Sequence, residues 1–140
     1  MRIAVTGATG LVGRFVVDRS LGAGHAVRAL LRPRASLDGF PSAPEAVRGD
    51  LDDAEALAAL LADCDALVHC AFAHLPGRYR GGEGDDPEGF WRTNLLGTVR
   101  LLEAARGAGV RRAVLLSSRA VFARRGAGED PRAPVDDAYP

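Results

Sequence analysis

The sequence predicts an α/β fold in which a parallel sheet is wound by right-handed crossovers. Two observations carry that reading. Short runs of β-branched and aliphatic residues alternate with longer segments of helical period along most of the chain. Glycine and proline punctuation falls at the junctions between them. The bulk properties agree: 140 residues, 47% hydrophobic, fit one domain with a single core and leave no room for two.

Taken in order, Ile3–Val5 is a buried strand, apolar on both faces as parallel strands are. A glycine-rich turn follows, then a helix from Leu11 to Leu21. Leu11, Phe15 and Val16 form its apolar stripe, and Gly22 and Gly24 mark its end. His25–Leu31 is the second strand, stopped by Arg32-Pro33-Arg34 because proline cannot continue a central ladder. A loop with Pro41 and Pro44 leads to a short third strand, Ala46–Arg48. A helix over Asp53–Ala62 opens with acidic residues that suit a helix N-terminus. Ala66–Cys70 is the fourth strand.

The segment from His74 to Asp86 contains Gly77, Gly81, Gly82 and Gly84 and is expected to be a long surface loop, either a lid facing a substrate or simply solvated. One long helix is expected from Pro87 to Arg106, with proline tolerated in the first turn. Ala113–Ser117 is the fifth strand, and Ser118–Pro140 reads as loop.

Composition excludes several functions. Eighteen basic residues balance 18 acidic ones, which argues against a nucleic-acid surface or a polybasic membrane anchor. No apolar run approaches the ~18–20 residues of a membrane span. Thr6, Gly7, Thr9 and Gly10 interrupt the N-terminal apolar stretch too early for a secretory signal. Two cysteines, Cys64 and Cys70, make no disulfide framework, and a reducing, cytoplasmic setting is expected. Neither has a His or Cys partner at metal-ligand spacing, so both are expected to be small buried hydrophobes and no metal is expected.

The most informative residues are Thr6-Gly7-Ala8-Thr9-Gly10-Leu11-Val12-Gly13, directly after a strand and opening a helix. In that context Gly7 permits a tight turn, Gly10 lets backbone approach a pyrophosphate, and Gly13 lets the helix pack close to the strand. Free N–H groups at the helix start add a partial positive charge. The plain alternative is an ordinary glycine-rich strand–helix turn.

The spacing T-G-x-x-G-x-x-G resembles that of the extended short-chain dehydrogenase/reductases, the NAD(P)-dependent epimerase/dehydratase group. Four further segments agree in order: Gly49-Asp50-Leu51, Asp65-Ala66-Leu67-Val68-His69-Cys70-Ala71, Asn94-Leu95-Leu96-Gly97-Thr98, and Ser117-Ser118-Arg119-Ala120-Val121-Phe122. The resemblance implies a Rossmann-type doubly wound sheet of order 3-2-1-4-5, truncated after strand five, with the substrate-binding C-terminal region absent. It implies cofactor contacts from Gly7, Thr9, Gly10, Leu11, Val12, Gly13, Arg32, Asp50, Leu51, Cys70, Ala71, Asn94 and Ser117. Asp50 would bond the adenine amino group, the lesser alternative being a cap for the helix after it. His69 is assigned no chemistry. Asn94 is expected to bond neighbouring backbone as well. Phe90 and Trp91 are expected in a core or interface.

NAD-preferring members of the group carry an acidic residue at the end of strand two. Here Leu31 holds that slot and Arg32 follows, with Arg28 and Arg34 near, so NADP is favoured over NAD. The group's acid/base pair is Y-x-x-x-K, in which lysine favours the phenolate. Ser118 matches the serine that bonds the substrate oxygen. The chain has no lysine, and neither Tyr79 nor Tyr139 stands in a matching position. Phe122-Ala123 replaces the usual Tyr-Gly.

Two functions therefore remain open. One is the cofactor-binding part of an epimerase, dehydratase or reductase acting on a small molecule, such as a sugar nucleotide, and inactive as these 140 residues alone. The other is a non-catalytic dinucleotide-binding module, a redox sensor or a remnant. A methyltransferase is disfavoured by the three glycines and the serine segment. The fifth strand would leave an apolar edge, which predicts homodimers through that edge (113–117) or the helix at 87–106. Sedimentation should show species heavier than the monomer; a clean monomer contradicts this.

Overall fold

The structure is a computed structural model, and it describes residues 1–74 and 84–118. Five strands form one parallel sheet: β1 (Arg2–Thr6), β2 (Ala26–Leu31), β3 (Glu45–Arg48), β4 (Ala66–His69) and β5 (Arg112–Leu115). Their order is β3-β2-β1-β4-β5, the doubly wound order expected from the sequence. Helices α1 (Leu11–Gly22), α2 (Ala54–Leu61), α3 (Pro87–Trp91) and α4 (Gly97–Gly107) connect them.

Alternation along β1 sorts the two cores. Ile3 and Val5 join Val17 of α1 and Val27, Ala29 and Leu31 of β2 on one face. Ala4 and Leu30 turn to the other, where Leu57, Leu60 and Leu61 of α2 meet Leu67 and Leu101. A parallel strand buried on both faces needs apolar residues on both, and Ile3, Ala4 and Val5 supply them in β1, while the buried Thr6 hydroxyl is satisfied by His69.

Two expectations about helices are corrected. In α1 the buried residues are Gly13 and Val17, whereas Leu11 is 83% and Phe15 66% exposed. Glycine has no hydrophobic weight, so a stripe chosen by side-chain character included Leu11 and Phe15, which point away from the contact face, while its third member, Val16, does pack against the core. The expected single helix from 87 to 106 is a continuous helical run whose middle, Arg92–Leu96, is a π-helical turn, with the Gly97 N–H bonded to the Arg92 carbonyl. The extra residue re-phases the helix, and such turns cluster at functional sites. Gly97 then packs on Leu51 so closely that a Cβ would lie 2.9 Å from the Leu51 Cβ. Trp91 is half exposed and belongs to no core; it meets Phe90 edge-on, as Phe90 meets Phe72.

Asp65 ties three strands together. Its carboxylate accepts the Arg2 N–H at 2.8 Å and the Arg111 Nη2 at 3.0 Å. The backbone bond from Arg2 and then Arg111 hold its carboxyl below the usual carboxylate range. At the sheet's β5 edge, all four strand residues are exposed, Val114 to 59%. Residues 75–83 of the glycine-rich loop and residues 119–140 lie outside the described residues, with Tyr79, Phe122, Ala123 and Tyr139 among them.

The cap of α2 is Asp53, whose side chain accepts the Ala56 N–H at 3.0 Å, and not Asp50, the cap that the sequence offered, which instead accepts the N–H of Leu51 at 2.8 Å. The Asp53→Ala variant should therefore lose about 1 kcal/mol in urea unfolding, the usual worth of such a cap. Asp50→Ala should stay within about 0.5 kcal/mol, as an exposed position away from a cap does.

Candidate functional site

The site forms where the strand order reverses. β1 sends its crossover to β2 on one side while β4 lies on the other, which opens a crevice beyond the carboxyl ends of the strands. Gly7 leaves β1 with φ +70°, a left-handed conformation that glycine adopts without steric cost. A Cβ at Gly7 would sit 2.6 Å from the Ala71 nitrogen, and one at Gly13 would overlap the Gly7 carbonyl. The turn closes through Gly10 N–H to Gly7 O at 2.9 Å. Two close approaches thus converge on a single glycine, one from β4 and one from α1.

The start of α1 differs from those of the other helices after turns. Asp53 and Asp86 side chains cap α2 and α3, but Gly10 offers α1 no side-chain cap, and its first turn has no acidic residue. The first N–H groups of a helix point out of its N-terminal end. Here that end borders a cleft of about 420 Å³.

Of the residues singled out from the sequence, Gly7, Thr9 and Gly10 line the floor of this cleft. Arg32, Asp50 and Leu51 line it from the β2 and β3 ends, and Cys70, Ala71 and Asn94 from the β4 side. The structure does not bring the others into its lining. Leu11 and Val12 are exposed on the first turn of α1, so they offer backbone N–H groups only, and Gly13 is packed beneath the turn. Ser117 and Ser118 follow β5, two strands from the turn. Arg28, expected near Arg32, is buried at the C-terminal end of α2. It donates to the carbonyls of Ala59 and Ala62 at 2.9 and 2.7 Å and pairs with Glu45. A cation at a helix C-terminus is favourable, and an arginine held there is withdrawn from the cleft.

Several lining residues carried no motif: Leu30, Ala35, Phe72, Ala73, His74 and Thr93. For all but Thr93, which lies in the π-helical turn, the sequence signal was position, at or past the carboxyl ends of parallel strands.

Behind the cleft a polar chain links its floor to the π-helical turn. Thr98 Oγ1 donates its one hydrogen to the Asn94 carbonyl at 2.6 Å. His69 Nε2, 2.8 Å from that hydroxyl, must therefore be the donor to it. His69 Nδ1 is left to accept from Thr6 Oγ1 at 2.6 Å. Burial holds the imidazole's pKa below the ordinary histidine value and so favours the neutral ring, and the Thr98 contact selects its Nε2–H tautomer. Asn94 holds the chain after β4: Oδ1 accepts the Ala73 N–H at 2.7 Å and Nδ2 donates to the Ala73 carbonyl at 3.2 Å. Asn94 borders the cleft, but these bonds occupy its amide, in line with the backbone role expected beside the cofactor contact. Burial pushes both cysteine thiols up, and Cys64 donates to the Leu60 carbonyl. Among the described residues no group of three His, Cys, Asp or Glu side chains is placed to hold a metal ion, and no helix is long and apolar enough to cross a membrane.

A doubly wound parallel sheet with a glycine turn at its switch point defines a Rossmann-type NAD-binding fold. The chain belongs to the NAD dependent epimerase/dehydratase family, whose model matches residues 3–140. It is 38% identical over 125 residues to the chloroplastic divinyl chlorophyllide a 8-vinyl-reductase of Oryza sativa subsp. indica, which covers 83% of this chain and 29% of that protein. It is 37% identical over 136 residues to a putative dihydroflavonol 4-reductase of Synechocystis sp., covering 96% of this chain and 36% of the relative. Among solved structures, a UDP-glucose-4-epimerase from Stenotrophomonas maltophila with bound NAD superposes with a TM-score of 0.79 at 26% identity, over 99% of this chain and 41% of that one. The chain thus spans well under half the length of these relatives.

The His69 chain predicts a pH dependence. An unfolded histidine titrates near pH ~6.5, and the folded one below it, so the unfolded state binds more protons in between and stability rises with pH. The melting temperature should hold above about pH 6.5 and fall as pH drops through that value. His69→Gln should flatten this fall. Loss from Asp65 is separable because it begins lower, near pH ~4.

Proposed function

We propose that this chain binds NADP in preference to NAD, as the dinucleotide-binding part of an oxidoreductase or epimerase. The carrying observation is the uncapped α1 N-terminus above the Gly7–Gly10 turn: backbone donors and a partial positive charge border the cleft. That donor set suits a pyrophosphate. Asp50 and Leu51 lie at the end of the cleft that suits an adenine, and Arg32 at the position that suits a ribose 2′-phosphate. Cys70 and Ala71 flank the opposite side, and Ser117, two residues beyond the β5 residue that pairs with His69, is a further contact in this reading. The bound nicotinamide would supply hydride transfer at a carbonyl or hydroxyl carbon.

In this reading Ser118 hydrogen-bonds the substrate oxygen, and the acid/base work needs groups these 140 residues do not contain, since no lysine and no Y-x-x-x-K is among them. The likeness to a UDP-glucose-4-epimerase supports a sugar nucleotide as substrate, and the reductase relatives support a small organic acceptor. A second reading is a dinucleotide-binding module without turnover. The two differ in one measurement: hydride transfer by the protein that carries this chain.

Calorimetric titration of the chain with NADPH and NADH tests the binding reading. NADPH should bind more tightly, and Arg32→Met should weaken NADPH about tenfold, the worth of one charge-assisted contact, while leaving NADH nearly unchanged. Tighter NADH binding overturns the NADP preference; binding of neither overturns the site.

A further inference from the structure

The turn that carries Arg32 is held from behind by another arginine. Arg48 Nη1 lies 2.6 Å from the Ala35 carbonyl, 3.2 Å from that of Arg32 and 3.4 Å from that of Pro33. One Nη carries two hydrogens, so Ala35 takes one and the other two carbonyls share the second. The turn is also closed by Ala35 N–H to Arg32 O at 2.9 Å, with Pro33 fixing φ between them. Arg48 is brought there by register: it ends β3 opposite Leu31, the last residue of β2, and the next amide, Gly49 N–H, donates to the Leu31 carbonyl at 3.0 Å.

Two features give this contact a role beyond folding. The residues of the turn that line the cleft are Arg32 and Ala35, the same two whose carbonyls Arg48 holds most closely. Arg48 itself is not part of that lining. The negative ends of these carbonyl dipoles are therefore directed at a cation outside the cleft, where they cannot oppose an anion beside Arg32. The far end of the same loop has its own anchor, since Arg14 donates to the Gly39 carbonyl at 3.3 Å and lies over the Phe40 ring at 5.2 Å. Loss of Arg48 would release only the Arg32 end.

We infer that Arg48 is a positioning residue for cofactor choice: by gathering the 32–35 carbonyls it presents Arg32 to the 2′-phosphate of NADP and keeps that end of the cleft electropositive. This rests on the NADP reading above. The neighbouring sequence is consistent with it, because residues 31–36 contain no carboxylate to accept a ribose diol. All three contacts come from one nitrogen, so the three-hydrogen ammonium of a shorter lysine replaces them in part.

The test is calorimetric titration of the full 140-residue chain with NADPH and with NADH, in wild type, Arg48→Met, Arg48→Lys, Arg32→Met and the Arg32→Met/Arg48→Met double variant. Arg48→Met should weaken NADPH about tenfold and leave NADH within about twofold, which also reports that the variant is folded. Arg48→Lys should recover part of the loss. The double variant should bind NADPH no worse than Arg32→Met alone, because Arg48 acts through Arg32. Equal weakening of both nucleotides by Arg48→Met, or additive losses in the double variant, overturns the inference while the NADP reading stands. A wild type that prefers NADH, or binds neither nucleotide, overturns that reading and this inference with it.

Discussion

The structure depends on a single close approach. At Gly7 the backbone of β1 turns out of the sheet between two neighbours that leave no space for a Cβ: β4 at Cys70–Ala71 and α1 at Gly13. A side chain at Gly7 would push the turn from the chain after β4, and one at Gly13 would push α1 from the turn, so that the helix no longer began at the switch point of the sheet. The same economy leaves Gly10, which has no side chain to cap with, at the helix start. Close packing and free N–H donors are thus one feature with two consequences, and the cleft inherits both.

The second organising device is the polar chain behind the cleft. Thr6, His69, Thr98 and Asn94 are joined by three hydrogen bonds whose directions follow from the single hydroxyl hydrogen of Thr98. It fastens the floor of the cleft to a helical run interrupted by a π-helical turn. Asn94 extends the connection to Ala73, so the chain leaving β4 is held by backbone bonds rather than by apolar packing. Buried polar chains of this kind tolerate no missing member, since a half-satisfied group in a low dielectric is costly.

Arginine carries every basic function in this molecule, and burial divides the labour. Arg28 is enclosed at the C-terminal end of α2, Arg48 holds a turn by its carbonyls, and Arg32 alone of these faces the cleft. Sequence proximity could not separate them: Arg28 and Arg32 are four residues apart, yet one belongs to the core and the other to the site. The same ambiguity attended Asp50 and Asp53. Both precede α2, and only the geometry of the turn shows that Asp53 reaches the Ala56 N–H while Asp50 stays at the cleft.

Local pattern was enough to determine the strand count, the parallel sheet, the glycine turn and most of the residues around it. Those features depend on periodicity and on backbone freedom, which are properties of short stretches. Packing decided the rest. The buried face of α1 turns on Gly13, which no hydrophobic scale marks. The π-helical turn arises where Gly97 seats on Leu51 and Asn94 grips Ala73, contacts made across 46 and 21 positions of chain. The hold of Arg48 on the turn before β3 exists only because β2 and β3 lie side by side. A linear pattern specifies which residues can line a cleft; which of them do so is set by what else competes for each side chain once the sheet has closed around it.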